Sequence, residues 1–284
     1  MLDFRYHALS LVAVFLALGI GIVLGSSLGD TVVSRANRDI ASSLRGDLNA
    51  ARSDASGAHA AVGQRERFLD SVFPSLAGRK LRHRVVAIVS SGDLPGDVQS
   101  DVRDAVRAAA GRLGSVAQVD NPPSPQALGA AVGPRFTGVR LDDGRMRALG
   151  RRVGEGLVSG GRLARRLRRR FPDRFGGRVK AADAVVFYRD PALERSDAIK
   201  QLEHGLIEGL RSAGGPVVGV ETSGTDPSQI PFYSNQGLSS VDSIDSAGGR
   251  IALVLTLRGA RGNFGYKKSA DSPLPVPPGA APGG

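Results

Sequence analysis

The feature that most constrains this chain is an uncharged run near its start. No Asp, Glu, Lys or Arg occurs from Ala8 to Gly29, a run of 22 residues. A transmembrane helix needs about 20 residues, whereas the apolar core of a secretory signal has about 7–15. The run also ends without a clean A-x-A cleavage site. The sequence therefore predicts an uncleaved transmembrane helix over residues 8–29 after a short tail, 1–7; a cleaved signal and a buried helix are the alternatives.

Small residues form one stripe along this predicted span. Ala13, Ala17, Gly21, Gly25 and Gly29 recur at every fourth position. In lipid, such a stripe lets two helix backbones approach closely and associate. The sequence therefore predicts self-association through this face, although Gly and Ala are also common in membrane spans in general.

A long helix is predicted directly after the span, over residues 30–73. Its apolar positions alternate at spacings of three and four, which is the a/d pattern of a coiled coil. Gly46, Gly57 and Gly63 each cost a helix about 1 kcal/mol relative to Ala, so we expect a membrane-proximal stalk that needs a partner. One amphipathic helix against the following domain is the alternative, and Pro74 is expected to end the helix. The seam consists of Ala41, Leu44, Leu48, Ala51, Ala55, Ala58, Val62 and Leu69, interrupted by Arg65.

The stripe and the seam together predict a homodimer. The stalk would contribute Leu44, Leu48 and Val62 to the helix–helix interface and leave a surface for a partner helix. A helix that is continuous through both segments rotates the two faces by about 20° per heptad relative to each other. A shared interface therefore needs a supercoil or a break near Gly29.

After the stalk, the pattern changes to short apolar strands that alternate with helices. Continuous apolar strands separated by helices indicate a parallel sheet covered on both faces. The sequence therefore predicts an α/β domain with a Rossmann-like parallel sheet over residues 81–265. The strands are RVVAIVS (Arg84–Ser90), SVAQV (Ser115–Val119), AVVFYR (Ala184–Arg189) and PVVGVE (Pro216–Glu221), while RIALVLTL (Arg250–Leu257) is either a strand or an apolar helix.

The loops after these strands lack the motifs of known cofactor sites. They contain neither G-x-G-x-x-G nor G-x-x-x-x-G-K-[ST], and no set of base, nucleophile and oxyanion donor can be named, so no enzyme activity is predicted. Asp93, Asp97 and Asp101 are interpreted as loop and helix-start acids. The chain has no Cys, and its His and Met residues are scattered, so no metal site is predicted. His204 and Glu208, spaced i,i+4, are interpreted as part of a solvated helix face.

One basic run stands out in a chain whose formal net charge is +11. Arg162–Lys180 holds eight Arg and one Lys, and it could bind anionic lipid, an acidic wall polymer or nucleic acid. No aromatic platform for bases accompanies the run, so nucleic acid is not predicted as a partner. A solvated basic face with Leu163 and Leu167 turned inward is the alternative. The Pro/Gly-rich end, residues 266–284, is predicted to be disordered.

The order of these segments resembles one known family. LDFRYHALSLVAVFLALGIGIVLGS at the N-terminus, SSVDSIDSAGGRIALVLTL near the end and the following GNFGY are similar to the actinobacterial MctB-like, or SteB-like, copper-transport outer-membrane proteins. Arg5, His7, Asp242 and Asp245 are the motif positions that carry the resemblance. It implies copper efflux or tolerance, a cytoplasmic N-terminus, and a main domain outside the cytoplasmic membrane. It also implies binding and activation of a peptidoglycan hydrolase at the septum, and it favours a helix over RIALVLTL beginning near Asp245.

The residues and the resemblance point in different directions. A single span cannot form a pore alone, and copper ligands are scarce, so copper is implied by the resemblance alone. Because the resemblance is the strongest indication of function, we expect a cell-envelope protein of copper transport or copper homeostasis. Because a single span cannot form a pore, we expect this protein to act as an oligomer. The alternative is a single-span scaffold that binds and regulates a cell-wall hydrolase at the septum.

Overall fold

The computed structural model describes residues 4–119, 124–137 and 143–275, except for the side chains of residues 4–5 and 26–39. The chain divides into two compact units, Met1–Gln64 and Arg65–Gly284. The predicted tail beyond residue 275 and the first three residues lie outside the described residues.

The first unit consists of helix α1 (Phe4–Ala77), which continues into the second unit. Its section Tyr6–Gly25 is long and apolar enough to cross a membrane, and its side chains are exposed. No other helix within the described ranges has this combination of length and apolarity. The section falls close to the predicted span and supports membrane association.

Helix α1 does not end at Pro74, so that prediction is wrong. Pro74 lies inside the helix, and its carbonyl accepts a hydrogen bond from the backbone N–H of Gly78 at 2.9 Å. Gly78 has φ +52°, the left-handed conformation in which helices commonly end. A proline removes one helical donor but keeps its acceptor, so the bond from Gly78 still forms one turn after Pro74.

The second unit is a mixed α/β domain, as predicted. The four predicted strands are all present, and three further strands are only two or three residues long. The strands are β1 (Val85–Ser91), β2 (Arg112–Val119), β3 (Phe175–Gly177), β4 (Ala184–Arg189), β5 (Val217–Val220), β6 (Ser239–Val241) and β7 (Asn263–Phe264). The helices are α2 (Gly96–Ala108), α3 (Pro125–Val132), α4 (Asp143–Ser159), α5 (Arg162–Arg170), α6 (Asp197–Arg211), α7 (Ile230–Asn235) and α8 (Ala247–Leu257), with a 3₁₀ turn over Pro134–Phe136.

All seven strands form one sheet in the order β3-β2-β1-β4-β5-β6-β7. Every pairing is parallel except that of β2 with the edge strand β3. The α/β class with a mostly parallel sheet is therefore confirmed, while the finer Rossmann-like assignment stays a prediction. Because the sheet is parallel, the carboxyl ends of β1, β4, β5 and β6 meet along one edge.

Apolar side chains cover both faces of the sheet. On one face, Val86 and Ile88 of β1 pack with a cluster that includes residues of α2 and α8. On the other face, Phe187 of β4 packs with a cluster from α4 and α6. The first cluster also contains Phe73, Ala77 and Leu81. The packed domain thus begins before residue 81, because the last turns of α1 are part of its core.

The RIALVLTL segment is helix α8, which confirms the helical alternative. Ser246 caps the helix, and its hydroxyl accepts a hydrogen bond from the backbone N–H of Gly249 at 3.0 Å. The helix is buried nearly all round, which explains why its sequence also resembles a strand.

The disordered tail was predicted to begin too early. Residues 266–275 continue against the end of the sheet, where Phe264 and Ser272 form a bridge. The backbone N–H of Gly265 donates to the carbonyl of Ser272 at 3.0 Å. Composition predicts disorder, but buried carboxylates of the domain bind this segment.

Candidate functional site

Asp242, a motif residue of the resemblance, lies buried directly after β6. Its carboxylate accepts hydrogen bonds from the backbone N–H groups of Tyr266 and Lys267, at 2.8 and 2.9 Å. A side-chain carbon at Gly265 would overlap this carboxylate. Asp242 therefore fixes the segment after β7 to the carboxyl end of the sheet.

Glu221 forms a buried ion pair at the end of β5. Its side chain is 1% exposed and accepts from the Nζ of Lys267 at 2.7 Å and from the hydroxyl of Ser228 at 2.9 Å. The Lys267 ammonium also donates to the carbonyl of Thr225 at 2.7 Å. Removing one partner of a buried pair leaves an uncompensated charge, which is costly. This pair holds the segment after β7 in place.

A second buried cluster lies at the end of β4. The carboxylate of Glu203 accepts from the Nε of Arg189 at 2.9 Å and lies 3.3 Å from the Nε of Arg195. The Arg189 guanidinium also bonds Gln229 and stacks 4.1 Å from the ring centroid of Phe232. At the carboxyl ends of β4, β5 and β6, where α/β proteins bind ligands, these acidic side chains thus bind groups of the domain itself.

Asp245, the second motif acid of the VDSIDS stretch, holds the neighbouring loop. Its carboxylate accepts from the backbone N–H of Ser223 at 2.8 Å and from the Ser223 hydroxyl at 2.5 Å. Both bonds are local contacts between β5 and α8. Asp245 and Asp242 therefore occupy positioning roles in the described structure.

The last turns of α1 are joined to the start of α8 by polar contacts. The carboxylate of Glu66 accepts from the backbone N–H of Ala247 at 2.9 Å, where the helix dipole favours negative charge. Arg250 donates to Asp70 at 2.6 Å and to Asp101 at 3.4 Å. Burial raises the pKa of the Asp101 carboxyl, although Arg250 acts in the opposite direction. This junction couples the end of the stalk directly to the VDSIDS stretch.

The predicted helix–helix interface lies on exposed parts of α1. Ala13 and Ala17 are exposed, and no heavy atom lies within 4 Å of where a side chain at Gly21 or Gly25 would begin. Gly29 falls among the residues whose side chains are not described.

The stalk positions are exposed in the same way. Leu44, Leu48 and Val62 are 63%, 49% and 56% exposed. His7 is exposed near the N-terminus, and the Arg5 side chain lies outside the described residues. The interface itself stays a prediction, and so do the coiled coil and the dimer.

His204 and Glu208, the i,i+4 pair on α6, each bind a side chain of the protein. The Nδ1 of His204 shares a hydrogen bond with the Oε1 of Gln236 at 2.9 Å. Glu208 forms an ion pair with Arg147 on α4, and this hydrogen bond lowers the pKa of the Glu208 carboxyl. Within the ranges that the structure describes, no group of three or more His, Cys, Asp or Glu could hold a metal ion.

The basic run divides into helix α5, a turn and the edge strand β3. Leu167 is buried and Leu163 is partly buried, while the Arg side chains of α5 face outward. Arg168 donates to the carbonyl of Gly177 at 2.8 Å, which ties α5 to β3. The run therefore forms an exposed basic surface at one edge of the sheet.

Sequence patterns did not indicate the pairing of two residues of this region, Glu221 and Lys267. Glu221 follows a buried strand, which marks it as a candidate in an α/β fold, but the sequence pattern indicates only the end of that strand. Lys267 lies in a segment whose composition suggested disorder. The two residues are 46 positions apart in sequence. A local sequence pattern therefore could not predict their contact.

Comparison with known proteins identifies the family. The family model described as copper transport outer membrane protein, MctB, matches residues 1–129 and 174–275, and the unmatched part in between includes α4 and α5. No curated protein matches the chain. The match covers most of the chain and confirms the resemblance seen in its sequence. The chain belongs to the MctB family of copper transport outer membrane proteins.

Proposed function

We propose that this protein serves copper transport or copper homeostasis in the cell envelope, as a membrane-anchored oligomer. The family match over residues 1–129 and 174–275 is the observation that carries this proposal. The apolar section Tyr6–Gly25 supplies the anchor. Following the family resemblance, the N-terminus faces the cytoplasm and the α/β domain lies outside the cytoplasmic membrane.

The oligomer is part of the proposal because one helix cannot enclose a path for an ion. Small residues at Ala13, Ala17, Gly21 and Gly25 let helices pack closely in lipid. The exposed apolar side chains of the stalk favour a second contact in water, since burying them removes apolar surface from solvent. Copper is then cargo that the assembly handles.

A deletion strain tests this function through copper sensitivity and cellular copper content. The parent gene should restore growth on copper, and a gene carrying Gly21→Ile should not, because the larger side chain separates the packed helices. Gly19→Ile is the matched control: it lies on the same helix, off the stripe, and also has no heavy atom within 4 Å. Normal copper tolerance of the deletion strain would overturn the proposal.

A second candidate function is a single-span scaffold that binds and regulates a cell-wall hydrolase at the septum. Two observations favour it: Asp242, Glu221 and Glu203 near the carboxyl end of the sheet bind groups of the domain itself, and the stalk exposes Leu44 and Leu48. A protein built this way presents a surface for a partner helix. The metal chemistry of copper is not needed for this role.

Phenotypes separate the two candidates. A scaffold predicts septation defects in the deletion strain at normal copper tolerance, and a Leu44→Glu variant should reproduce them because a charge at the seam disrupts an apolar contact. His59→Gln is a stalk control, since the His59 ring shares a hydrogen bond with the carbonyl of Ala55 in its own helix. Copper sensitivity with normal septation would rule against the scaffold.

A further inference from the structure

A concave cationic surface lies at the β2–β3 edge of the sheet. One groove of about 350 Å³ is lined by Arg103, Arg107 and Arg112 together with Arg178 and Lys180. An adjoining groove of about 610 Å³ shares Arg178 and Lys180. We call the two together the cationic groove; α5 adds Arg165, Arg168 and Arg169 to it.

Regular elements place these cations together. Arg103 and Arg107 are one turn apart on α2, so both lie on the same helix face. Arg178 and Lys180 follow the edge strand β3 at alternate positions. Arg168 of α5 bonds the end of β3, which holds the two sides of the groove in one arrangement.

An acidic side chain lies beside the groove, where Asp173 lines an adjoining depression together with Arg103 and Arg178. No Asp or Glu is among the described residues that line either part. In the described structure, Arg107, Arg178 and Lys180 form no ion pair. Arg174 nearby differs, because it pairs with Asp93 at 2.5 Å. Clustered cations of this kind attract an anion strongly, and a polyanion gains further by releasing its counterions.

The shape and the lining distinguish between polyanions. The groove is concave, whereas the surface of a bilayer is flat. The large exposed apolar side chains among the described residues lie on α1 and at Tyr266. Both observations favour a polymer over a bilayer as the ligand of the groove. No Phe or Tyr lines either part, so bases would find no stacking platform. We propose that the cationic groove binds an anionic polymer of the cell envelope that carries phosphate or carboxylate groups.

This binding activity goes beyond the proposed copper function and rests on it only for the placement of the α/β domain in the cell envelope. Helix α5 lies in the part of the chain that the family model does not match, while α2 and β3 lie in the matched part. The groove therefore combines both parts of the chain. It would hold the domain against the envelope polymer whichever molecule the rest of the assembly handles.

Binding is tested with the full chain in phosphatidylcholine nanodiscs. The probes are polyphosphate for phosphate groups, polygalacturonate for carboxylates, single-stranded DNA, and separate vesicles rich in phosphatidylglycerol. We expect at least one polymer to bind, with an affinity that falls steeply as salt rises. The double variant Arg178→Gln/Lys180→Gln should weaken binding about tenfold or more, since each cation near a polyanion contributes substantially.

The matched control is Arg258→Gln/Arg261→Gln, which removes two exposed cations elsewhere on the domain. It should change the affinity by less than about twofold, because exposed charges beyond a Debye length are screened. A second pair, Arg165→Gln/Arg169→Gln on α5, should weaken binding as the first does. Equal losses in the groove and control variants would overturn the proposal, as would absence of binding to both polymers. Tighter binding to DNA or to the vesicles than to either polymer would also overturn it.

Discussion

Replacing Gly205 by Ala should destabilise the domain, because α4 and α6 cross with their backbones in contact. A side-chain carbon at Gly205 would overlap the carbonyl oxygen of Arg147 and lie 2.7 Å from its carbonyl carbon. At Gly209, one turn later, it would overlap the carbonyl oxygen of Arg151. The obstacle in each case is backbone, which cannot rotate away as a side chain can.

The facing helix carries a matching pair of glycines. A side-chain carbon at Gly150 would lie 2.8 Å from the backbone nitrogen of Leu206, and one at Gly154 would lie 2.7 Å from that of Leu210. Glycines spaced by four on both helices thus form a single close crossing. Any larger residue there must push the two helices apart.

The size of the effect follows from two opposing contributions. Ala is favoured over Gly inside a helix by about 1 kcal/mol. Overpacking a core costs about 1–3 kcal/mol, and occasionally more. With rigid backbone as the obstacle, the upper end of that range applies to Gly205→Ala. The net loss is therefore about 2 kcal/mol, which increases local opening of α4 and α6 about 30-fold.

Hydrogen exchange on the full chain measures this loss where it occurs. Backbone amides of α4 and α6 should exchange about 30-fold faster in Gly205→Ala, since exchange reports the free energy of local opening. Gly96→Ala is the control, because Gly96 begins α2 and has no heavy atom within 4 Å of the new side chain. It should leave exchange unchanged or slow it. Unchanged protection of α4 and α6 in Gly205→Ala would refute the close-crossing interpretation.

Three further predictions follow from the site. Copper titrated by calorimetry into the full chain should bind no more tightly than about micromolar, because thiol ligands are lacking and His and Met are scattered; a stoichiometric nanomolar site would contradict this. Lys267→Met should lower the free energy of unfolding by about 3–5 kcal/mol, since it leaves the Glu221 charge buried and unpaired; a loss below about 1 kcal/mol would show that the pair is replaceable. The Glu208 carboxyl has a lowered pKa, so its pairing stabilises the fold above the ordinary value of 4.5 and is lost as pH falls through the lowered pKa. Arg147→Gln should remove that acid dependence, at a cost below about 1 kcal/mol because the pair is partly exposed; an unchanged pH profile of unfolding would contradict it.

The sequence predicted those parts of the fold that have a strong local pattern. Strands β1 and β4 are continuous apolar runs with β-branched residues, and both were located from the sequence to within a residue or two. Strands β6 and β7 contain three and two residues, respectively, and pair mainly through their backbones. A period of two cannot be recognised in so few residues, so these strands could not be predicted.

The polar end of the sheet depends on contacts between distant residues. Asp242 and Asp245 were singled out through the family resemblance, but what they bind could not be read from their neighbours in sequence. Composition marked the segment that contains Lys267 as disordered, because it is followed by Pro and Gly. The buried carboxylate of Glu221 nevertheless pairs with that lysine, and the carboxylate of Asp242 accepts from the backbone of the same segment, so contacts with distant residues hold a segment whose composition suggests disorder.

Polar contacts between α1 and α8 join the last turns of α1 to the sheet domain. Glu66 caps the start of α8, and Arg250 of the same helix bonds Asp70, so both contacts join the last turns of α1 to one helix. That helix begins directly after Asp245, which holds the loop following β5. A displacement of the last turns of α1 must therefore move α8 or break these charged contacts, and a movement of α8 reaches the carboxyl end of the sheet through Asp245.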